Sequence, residues 1–347
     1  MYYLVIFIFL ALYVICQSKP ATSLVKYDRL FSAFLCIILV LLAAFRSDEV
    51  GADTAIYREY YEAMPNYNSF QSIVDYFSEY YIGYFLLSKL FSLAHMPVQV
   101  WFGFIEAFYL FSLMKYVGLY SKDKIFSLLI FVTVGLWGFS MAGEKQTLAM
   151  SFMMLSFVAI IKKKYIQSVI LALISFYTHQ VVLIFLAAFI LYFVRNKKLF
   201  VPLIFILSGV IFVYSSFFLS SAANLLGNEK YDVYLDGDVK YTYVPFIFYS
   251  IITLIASINM GNYRNEKPDS ANFTLGISIL ACAIQLLAVI SGTLFRLALL
   301  FLPFMMILIP NAVYYSGKNK NIIRLVLMSF VIFYFLYTSR DTQYSFY

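Results

Sequence analysis

Long apolar runs, separated by short polar turns, repeat along most of the chain. A helix needs about 20 apolar residues to cross a bilayer, with a working range of about 17–25. Runs near this length recur often enough to predict an all-α polytopic membrane protein with about 12 transmembrane helices. The predicted spans lie near 2–16, 30–45, 98–117, 125–140, 147–161, 165–178, 180–194, 199–220, 242–260, 272–291, 297–315 and 322–338.

The composition supports this prediction and excludes the soluble alternatives. Of the 347 residues, 63% are hydrophobic and 12% are charged, whereas a soluble domain has about 45–50% apolar and about 25% charged residues. A soluble globular protein, a disordered chain and a disulfide-rich secreted domain are therefore excluded. The three cysteines lie in apolar runs without metal-ligand spacing, and we interpret them as buried apolar residues.

The distribution of charge predicts which way the spans face. Residues 46–80 and 221–241 together hold 11 of the 18 acidic residues. Basic residues cluster in other turns, and the positive-inside rule places those turns in the cytoplasm. Both acidic segments are then external loops, and the net charge of +7 needs no nucleic-acid partner to explain it. The basic clusters lie in 17–29, 118–124, 162–164, 195–198, 261–270 and 317–324.

One further apolar segment, from about Tyr81 to Ala94, breaks the alternation of spans. It is short, it carries Lys89, and it ends at a turn formed by His95, Met96 and Pro97. We predict a re-entrant or interfacial helix on the outer side. The alternative is that two weak neighbouring segments form one broken span. No linker or internal repeat divides the chain, so the sequence predicts a single membrane domain over residues 1–347.

Ionisable residues beside apolar segments are the first candidates for function, because a membrane makes them costly. Each also has a simpler structural interpretation: a snorkelling arginine, a polar turn or a hydrogen-bonded histidine. Gly51 is expected to allow a tight turn, and the Asp53 carboxylate to cap the following helix. Four such places lie on the predicted outer side: Arg46 with Gly51, Asp53 and Tyr57; Glu144 with Lys145 and Gln146; His179; and Arg296.

Tyrosine is dense between Tyr57 and Tyr84. Aromatic rings stack on the C–H faces of sugars, and they also line membrane interfaces. The sequence leaves both interpretations open.

The segments that contain the four candidate places, in their order along the chain, resemble the EpsG/Wzy family of bacterial polysaccharide polymerases. In the helix-start motif, Lys145 stands where the family pattern has arginine, and the preceding asparagine is missing. The matching pieces are Phe45-Arg46, Val50-Gly51, Asp53-Thr54 and Tyr57; Glu79 with Gly83-Tyr84; 142–149; Thr178-His179; and Arg296-Leu297 with Pro303.

The resemblance implies a GT-C-like fold and a glycosyltransferase that polymerises undecaprenyl-diphosphate-linked oligosaccharide repeat units. The active site would face the outside of the bacterial cytoplasmic membrane. Lipid-linked donor and acceptor glycans, membrane lipid and a chain-length regulator protein are the implied partners, and no metal or cofactor is expected.

The resemblance also implies roles for individual residues. Arg46, Arg296 and Lys145 would stabilise the diphosphate leaving group. The base that removes the proton from the acceptor hydroxyl would be one of three residues: Asp53, Glu144 or His179. Gln146, Tyr57 and Glu79 complete the implied substrate-binding set. A lipid-linked glycan flippase, a glycan ligase and a structural membrane subunit remain the alternatives.

Overall fold

Helices dominate the computed structural model, which describes residues 2–77, 81–194, 243–288, 295–339 and 344–346, together with Ile206, 209–210 and 213–214. Within these residues the chain forms α-helices and short 3-10 turns, and no β-strand. One isolated backbone bridge pairs Arg46 with Phe346. The predicted all-α fold class is confirmed.

The chain divides into two compact units, Met1–Leu183 with Ser329–Tyr347, and Ile184–Met328. In the first unit the helices are α1 (Tyr2–Gln17), α2 (Ala21–Ala44), α3 (Thr54–Ala63), α4 (Phe70–Phe77), α5 (Ile82–Leu93), α6 (Val98–Tyr120), α7 (Lys124–Thr133), α8 (Leu136–Ala142), α9 (Glu144–Ile161) and α10 (Tyr165–Thr178). The second unit contains α11 (Leu186–Phe193), α12 (Val244–Ile258), α13 (Gly261–Glu266), α14 (Pro268–Leu287), α15 (Phe295–Leu299) and α16 (Met305–Tyr315). The last helix, α17 (Lys320–Thr338), contributes to both units.

Six helical segments in the described residues are long and apolar enough to cross a membrane: Ser23–Ala44, Val98–Tyr120, Glu144–Ile161, Pro268–Leu286, Phe295–Tyr315 and Gly317–Thr338. The protein is therefore a multi-pass membrane protein. The predicted span over 199–220 falls mostly outside the described residues, and the external loop 221–241 falls entirely outside them. The count of about 12 spans and the GT-C-like arrangement stay predictions.

The predicted span over 125–140 is a broken helix in the structure. The chain bends by 57° between α7 and α8, which form a seventh candidate span if the pair is counted as one. Gly135 lies at the break with φ of +87°, a backbone conformation that glycine adopts without steric cost. The bend directs the short helix α8 towards the start of α9.

The segment that breaks the alternation forms α5, a helix of 12 residues. At about 1.5 Å per residue it is too short to cross a bilayer alone. Gly83 lies against the end of α10, where an added Cβ would be 2.9 Å from Thr178 Oγ1. This close approach fixes α5 beside His179, and its depth in the membrane stays a prediction.

Polar contacts join α1, α2 and the start of α7 at one end of the first unit. Asp28, near the start of α2, accepts hydrogen bonds from the Lys124 ammonium at 2.9 Å and from the backbone N–H of Ile125 at 3.1 Å. The Tyr13 hydroxyl, on α1, donates to Asp123 at 2.8 Å. Asp28, Asp123 and Lys124 belong to the basic segments 17–29 and 118–124, which we predict to be cytoplasmic. Arg46 and Glu144, two of the candidate functional residues, lie at the other ends of α2 and of the α7–α8 pair.

In the second unit, aromatic contacts join the helices. The rings of Phe185 and Phe301 stack with centroids 5.9 Å apart, and those of Tyr263 and Tyr315 stack at 4.9 Å. Pro310 lies buried inside α16.

Candidate functional site

Arg46 follows α2 and is buried, with 1% of its side chain exposed. Its guanidinium donates to the carbonyl of Ala43 at 2.5 Å, to the carbonyl of Met141 at 3.2 Å and to Thr54 Oγ1 at 3.2 Å. The guanidinium carbon also lies 4.2 Å from the centroid of the Phe102 ring. Arg46 therefore joins α2 to the start of α3 and to the end of α8.

Glu144 neutralises this buried cation. It opens α9, where the helix dipole favours a carboxylate, and its Oε1 forms an ion pair with Arg46. Its other oxygen, Oε2, accepts a hydrogen bond from the Tyr84 hydroxyl at 2.9 Å. The Trp101 indole in turn donates to that hydroxyl at 3.2 Å. Both carboxylate oxygens are thus engaged inside the protein.

The turn before α3 is as tight as the sequence predicts. Gly51 adopts φ of +94°, and an added Cβ would lie 2.7 Å from the Met141 carbonyl oxygen. The predicted capping by Asp53 is wrong, because its side chain makes no cap hydrogen bond. Its φ and ψ are −111° and 9°, whereas a capping residue usually adopts the extended region. The turn is held instead by Thr54 Oγ1, which donates to the Val50 carbonyl at 2.5 Å.

Substituting Gly51 with alanine is expected to destabilise the protein by about 1–3 kcal/mol, because the left-handed backbone is strained in other residues and the new methyl meets the Met141 carbonyl. Thermal unfolding of the detergent-solubilised protein measures the effect. The control is Gly138→Ala, on α8, where an added Cβ meets nothing within 4 Å. Equal stability of the two variants would contradict the prediction.

An aromatic cage surrounds the Lys145 ammonium, one residue after Glu144. A cation over aromatic faces is held by ring electrostatics, and four rings contribute here. The Lys145 side chain is half-buried, unlike the fully buried Arg46. Its Nζ lies 4.6 Å, 4.8 Å, 5.1 Å and 5.6 Å from the ring centroids of Tyr81, Tyr60, Phe85 and Tyr57.

His179 joins this group through Tyr81. It ends α10, and its half-buried ring lies 5.0 Å from the Tyr81 ring, centroid to centroid. The backbone N–H of Val181 donates to His179 Nδ1 at 3.3 Å. An acceptor at Nδ1 places the proton of the neutral ring on Nε2. Tyr81 therefore stands between a cationic and an imidazole side chain.

Asp53 precedes the face of α3 that contacts Lys145. Residues at positions i, i+4 and i+7 share one helix face, which groups Asp53 with Tyr57 and Tyr60. Burial is the main cause of the raised pKa of the Tyr60 hydroxyl, and the charge of Asp53 is a further cause. The half-buried Asp53 carboxylate thus lies near the aromatic cage.

Within the first unit the structure brings together five predicted residues: Arg46, Tyr57, Glu144, Lys145 and His179. Gln146, the next residue on α9, is buried with 3% exposed. Arg296 belongs to the second unit, where it lies half-buried in α15. Glu79 lies outside the described residues.

Sequence reasoning missed Glu106, which lies inside α6 with 2% exposed. Ser140 hydrogen-bonds to its carboxyl group, and its Oε1 has no hydrogen-bond partner among the described residues. The sequence could have identified Glu106 as a candidate, because a lone acidic residue inside an apolar span is costly. Tyr84 and Trp101 were also not predicted to hold Glu144, since nothing local in the sequence joins them to it.

No three His, Cys, Asp or Glu side chains in the described part of the chain are arranged to hold a metal ion.

Comparison with known proteins gives one match. The model of the EpsG family matches residues 29–347. No curated protein and no solved structure matches the chain.

Proposed function

The chain belongs to the EpsG family of Wzy-like polysaccharide polymerases and glycosyltransferases, and on that premise we propose that it polymerises undecaprenyl-diphosphate-linked repeat units at the outer face of the bacterial cytoplasmic membrane. In this reaction the bond between the growing glycan and its diphosphate breaks. The anomeric carbon bonds to a hydroxyl of the next unit, and that hydroxyl loses its proton. The observation that carries the proposal is the grouping of Lys145 and His179 around Tyr81, beside the buried ion pair.

Lys145 and His179 are the groups that we assign to the diphosphate. A departing diphosphate develops negative charge, and donors already in place stabilise it. The Lys145 ammonium supplies a positive charge that the aromatic cage holds in place. His179 offers Nε2–H, because its Nδ1 accepts the Val181 N–H. Arg296 stays a proposed further cation, since a guanidinium binds phosphate oxygens in bidentate geometry.

Asp53 is the residue that we propose as the base. Both oxygens of Glu144 are engaged by Arg46 and Tyr84, and this carboxylate is buried. The Nδ1 lone pair of His179 is engaged as well. We assign the base to Asp53 because its half-buried carboxylate lies near Tyr60, whose ring contacts Lys145, and so near the diphosphate that Lys145 is proposed to bind.

Arg46 and Glu144 are then positioning residues. The sequence hypothesis gave Arg46 a direct contact with the diphosphate, but its burial and its internal hydrogen bonds favour a different role. The ion pair fixes the start of α9, which carries Lys145, against the turn that carries Asp53. Tyr57, whose ring centroid lies 5.6 Å from Lys145 Nζ, supports the same arrangement.

Polymerisation by the purified protein tests the proposed function. Lipid-diphosphate repeat units are incubated with the protein in nanodiscs, and the products are separated by length. We expect a ladder of glycans on the carrier lipid that is unchanged by a metal chelator. A single-unit product only would contradict polymerisation, and transfer to a lipid other than the carrier would favour a ligase.

Replacing Lys145 with methionine is expected to slow polymerisation by about 10²-fold, the usual effect of removing one preorganised charge-stabilising group. Lys145→Arg, which restores the family's residue and the positive charge, should retain most of the activity. Initial rates at saturating repeat unit provide the measurement. The matched control is Lys162→Met at the other end of α9, where the side chain is exposed. Wild-type rates in Lys145→Met would exclude the assigned role.

A further inference from the structure

A cavity of about 480 Å³ lies beside α3, between that helix and the turn that leads into α6. Its volume falls within the range of about 300–1,000 Å³ that is common for small-molecule sites. Neither the sequence pattern nor the proposed reaction uses it. The residues that matter here are Arg58, Tyr61, Glu62, Ser92, His95 and Gln99, all of which line the cavity.

The inner wall of the cavity is rigid. Arg58 is buried, with 7% exposed, and its Nε donates to Asp48 at 2.5 Å in an ion pair. The Tyr61 hydroxyl donates to the Met96 carbonyl at 2.7 Å, and its ring stacks on Trp101 with centroids 6.4 Å apart. A wall whose side chains are already fixed loses little entropy when a ligand binds.

The rim supplies adaptable polar groups. His95 adopts φ of +54°, in the turn that the sequence predicts, and its N–H donates to the Ser92 carbonyl at 2.9 Å. The imidazole and the Glu62 carboxylate are exposed, and the Gln99 amide is half-buried. Together they offer both hydrogen-bond donors and acceptors.

This chemistry fits a neutral sugar better than an anion. The positive charge of Arg58 is already compensated by Asp48, and Glu62 adds a negative charge to the rim. Sugar hydroxyls donate and accept hydrogen bonds, as do the His95 imidazole and the Gln99 amide, and the Glu62 carboxylate accepts them. A phosphate, in contrast, would meet the Glu62 carboxylate at the rim and an Arg58 guanidinium whose charge Asp48 already balances.

α3 separates the cavity from the aromatic cage. Tyr57 and Tyr60 contact Lys145 on one face of the helix, while Arg58, Tyr61 and Glu62 line the cavity on another. A helix with its side chains is about 10–12 Å across. A short oligosaccharide whose reacting end lies near Lys145 covers that distance across α3.

We propose that this cavity is a distal glycan subsite, which binds neutral sugar rings of the repeat unit away from the reacting end and selects which repeat unit is polymerised. The inference rests on the proposed function for the identity of its ligand.

Binding of a defined glycan tests the subsite. The probe is the repeat-unit oligosaccharide that mild acid releases from the carrier lipid of cells lacking this protein. Its dissociation constant is measured by calorimetry with the full chain in nanodiscs. We expect binding about tenfold weaker in Gln99→Ala and in His95→Asn, as for one lost hydrogen bond to a ligand. Asparagine tolerates the positive φ at position 95, so that variant keeps its fold.

Two controls separate this inference from the proposed function. Gln71→Ala, an exposed substitution of the same type on α4, should bind the probe as the wild type does. Asp53→Asn should also bind it normally while failing to polymerise. Wild-type affinity in both cavity variants, or no binding by the wild type, overturns the subsite. Binding that depends on Gln99 and His95 in a protein that makes no polymer would uphold the subsite and reject the polymerase.

Discussion

Replacing Asp53 with asparagine is expected to lower the rate of polymerisation by about 10²–10⁴-fold, the range associated with losing a general base. Asparagine has nearly the same shape but cannot accept the hydroxyl proton. Because the substitution keeps the shape of a half-buried side chain, the amount of folded protein should stay at the wild-type level. Initial rates of ladder formation, with lipid-diphosphate repeat units in nanodiscs, measure the effect.

The matched control for this prediction is Asp75→Asn. Asp75 is exposed on α4 and accepts a hydrogen bond from a neighbouring exposed side chain, Gln71, at 2.6 Å. This variant should polymerise at the wild-type rate. If Asp53→Asn were equally active, the base would have to be sought elsewhere in the site.

Replacing Arg46 with alanine is expected to destabilise the protein by about 3–5 kcal/mol, the usual cost of removing one partner of a buried ion pair. The substitution leaves the buried Glu144 carboxylate without its ion-pair partner. It also removes the hydrogen bonds to Ala43, Thr54 and Met141. Thermal unfolding in detergent and the yield of monodisperse protein measure the loss.

A double variant distinguishes positioning from simple stability. Arg46→Met with Glu144→Met removes both charges and keeps similar volumes, so most of the lost stability should return. Polymerisation should stay low, because the start of α9 is no longer tied to the turn before α3. A stable double variant with the wild-type rate would show that the ion pair does not position Lys145 or Asp53.

Much of the architecture follows from local sequence. Apolar runs locate α2, α6 and α9 because burial in lipid depends on composition over about 20 residues. The turn at Gly51 could also be predicted locally, because glycine adopts positive φ without steric cost. The backbone there has φ of +94°.

The polar network could not be predicted in the same way. Arg46 and Glu144 are 98 positions apart, and no local pattern pairs them. The sequence therefore assigned both to substrate, whereas they contact each other. The capping role of Asp53 was wrong because residue type alone does not determine ψ. Glu106 was overlooked inside an apolar run, where one acid barely changes the hydropathy.

The separation of the ion pair along the chain has a consequence for biosynthesis. Glu144 is made 98 residues after Arg46, which at about 5–20 residues per second is a delay of about 5–20 s. During that interval Arg46 lacks its ion-pair partner, and the cost of entering hydrocarbon holds the guanidinium in water or at the lipid headgroups. The first two helices are thus inserted before the charge of Arg46, which lies between α2 and α3, can be buried. Arg46 can move inward only after α9 is made, which makes burial of this arginine a late event in membrane assembly.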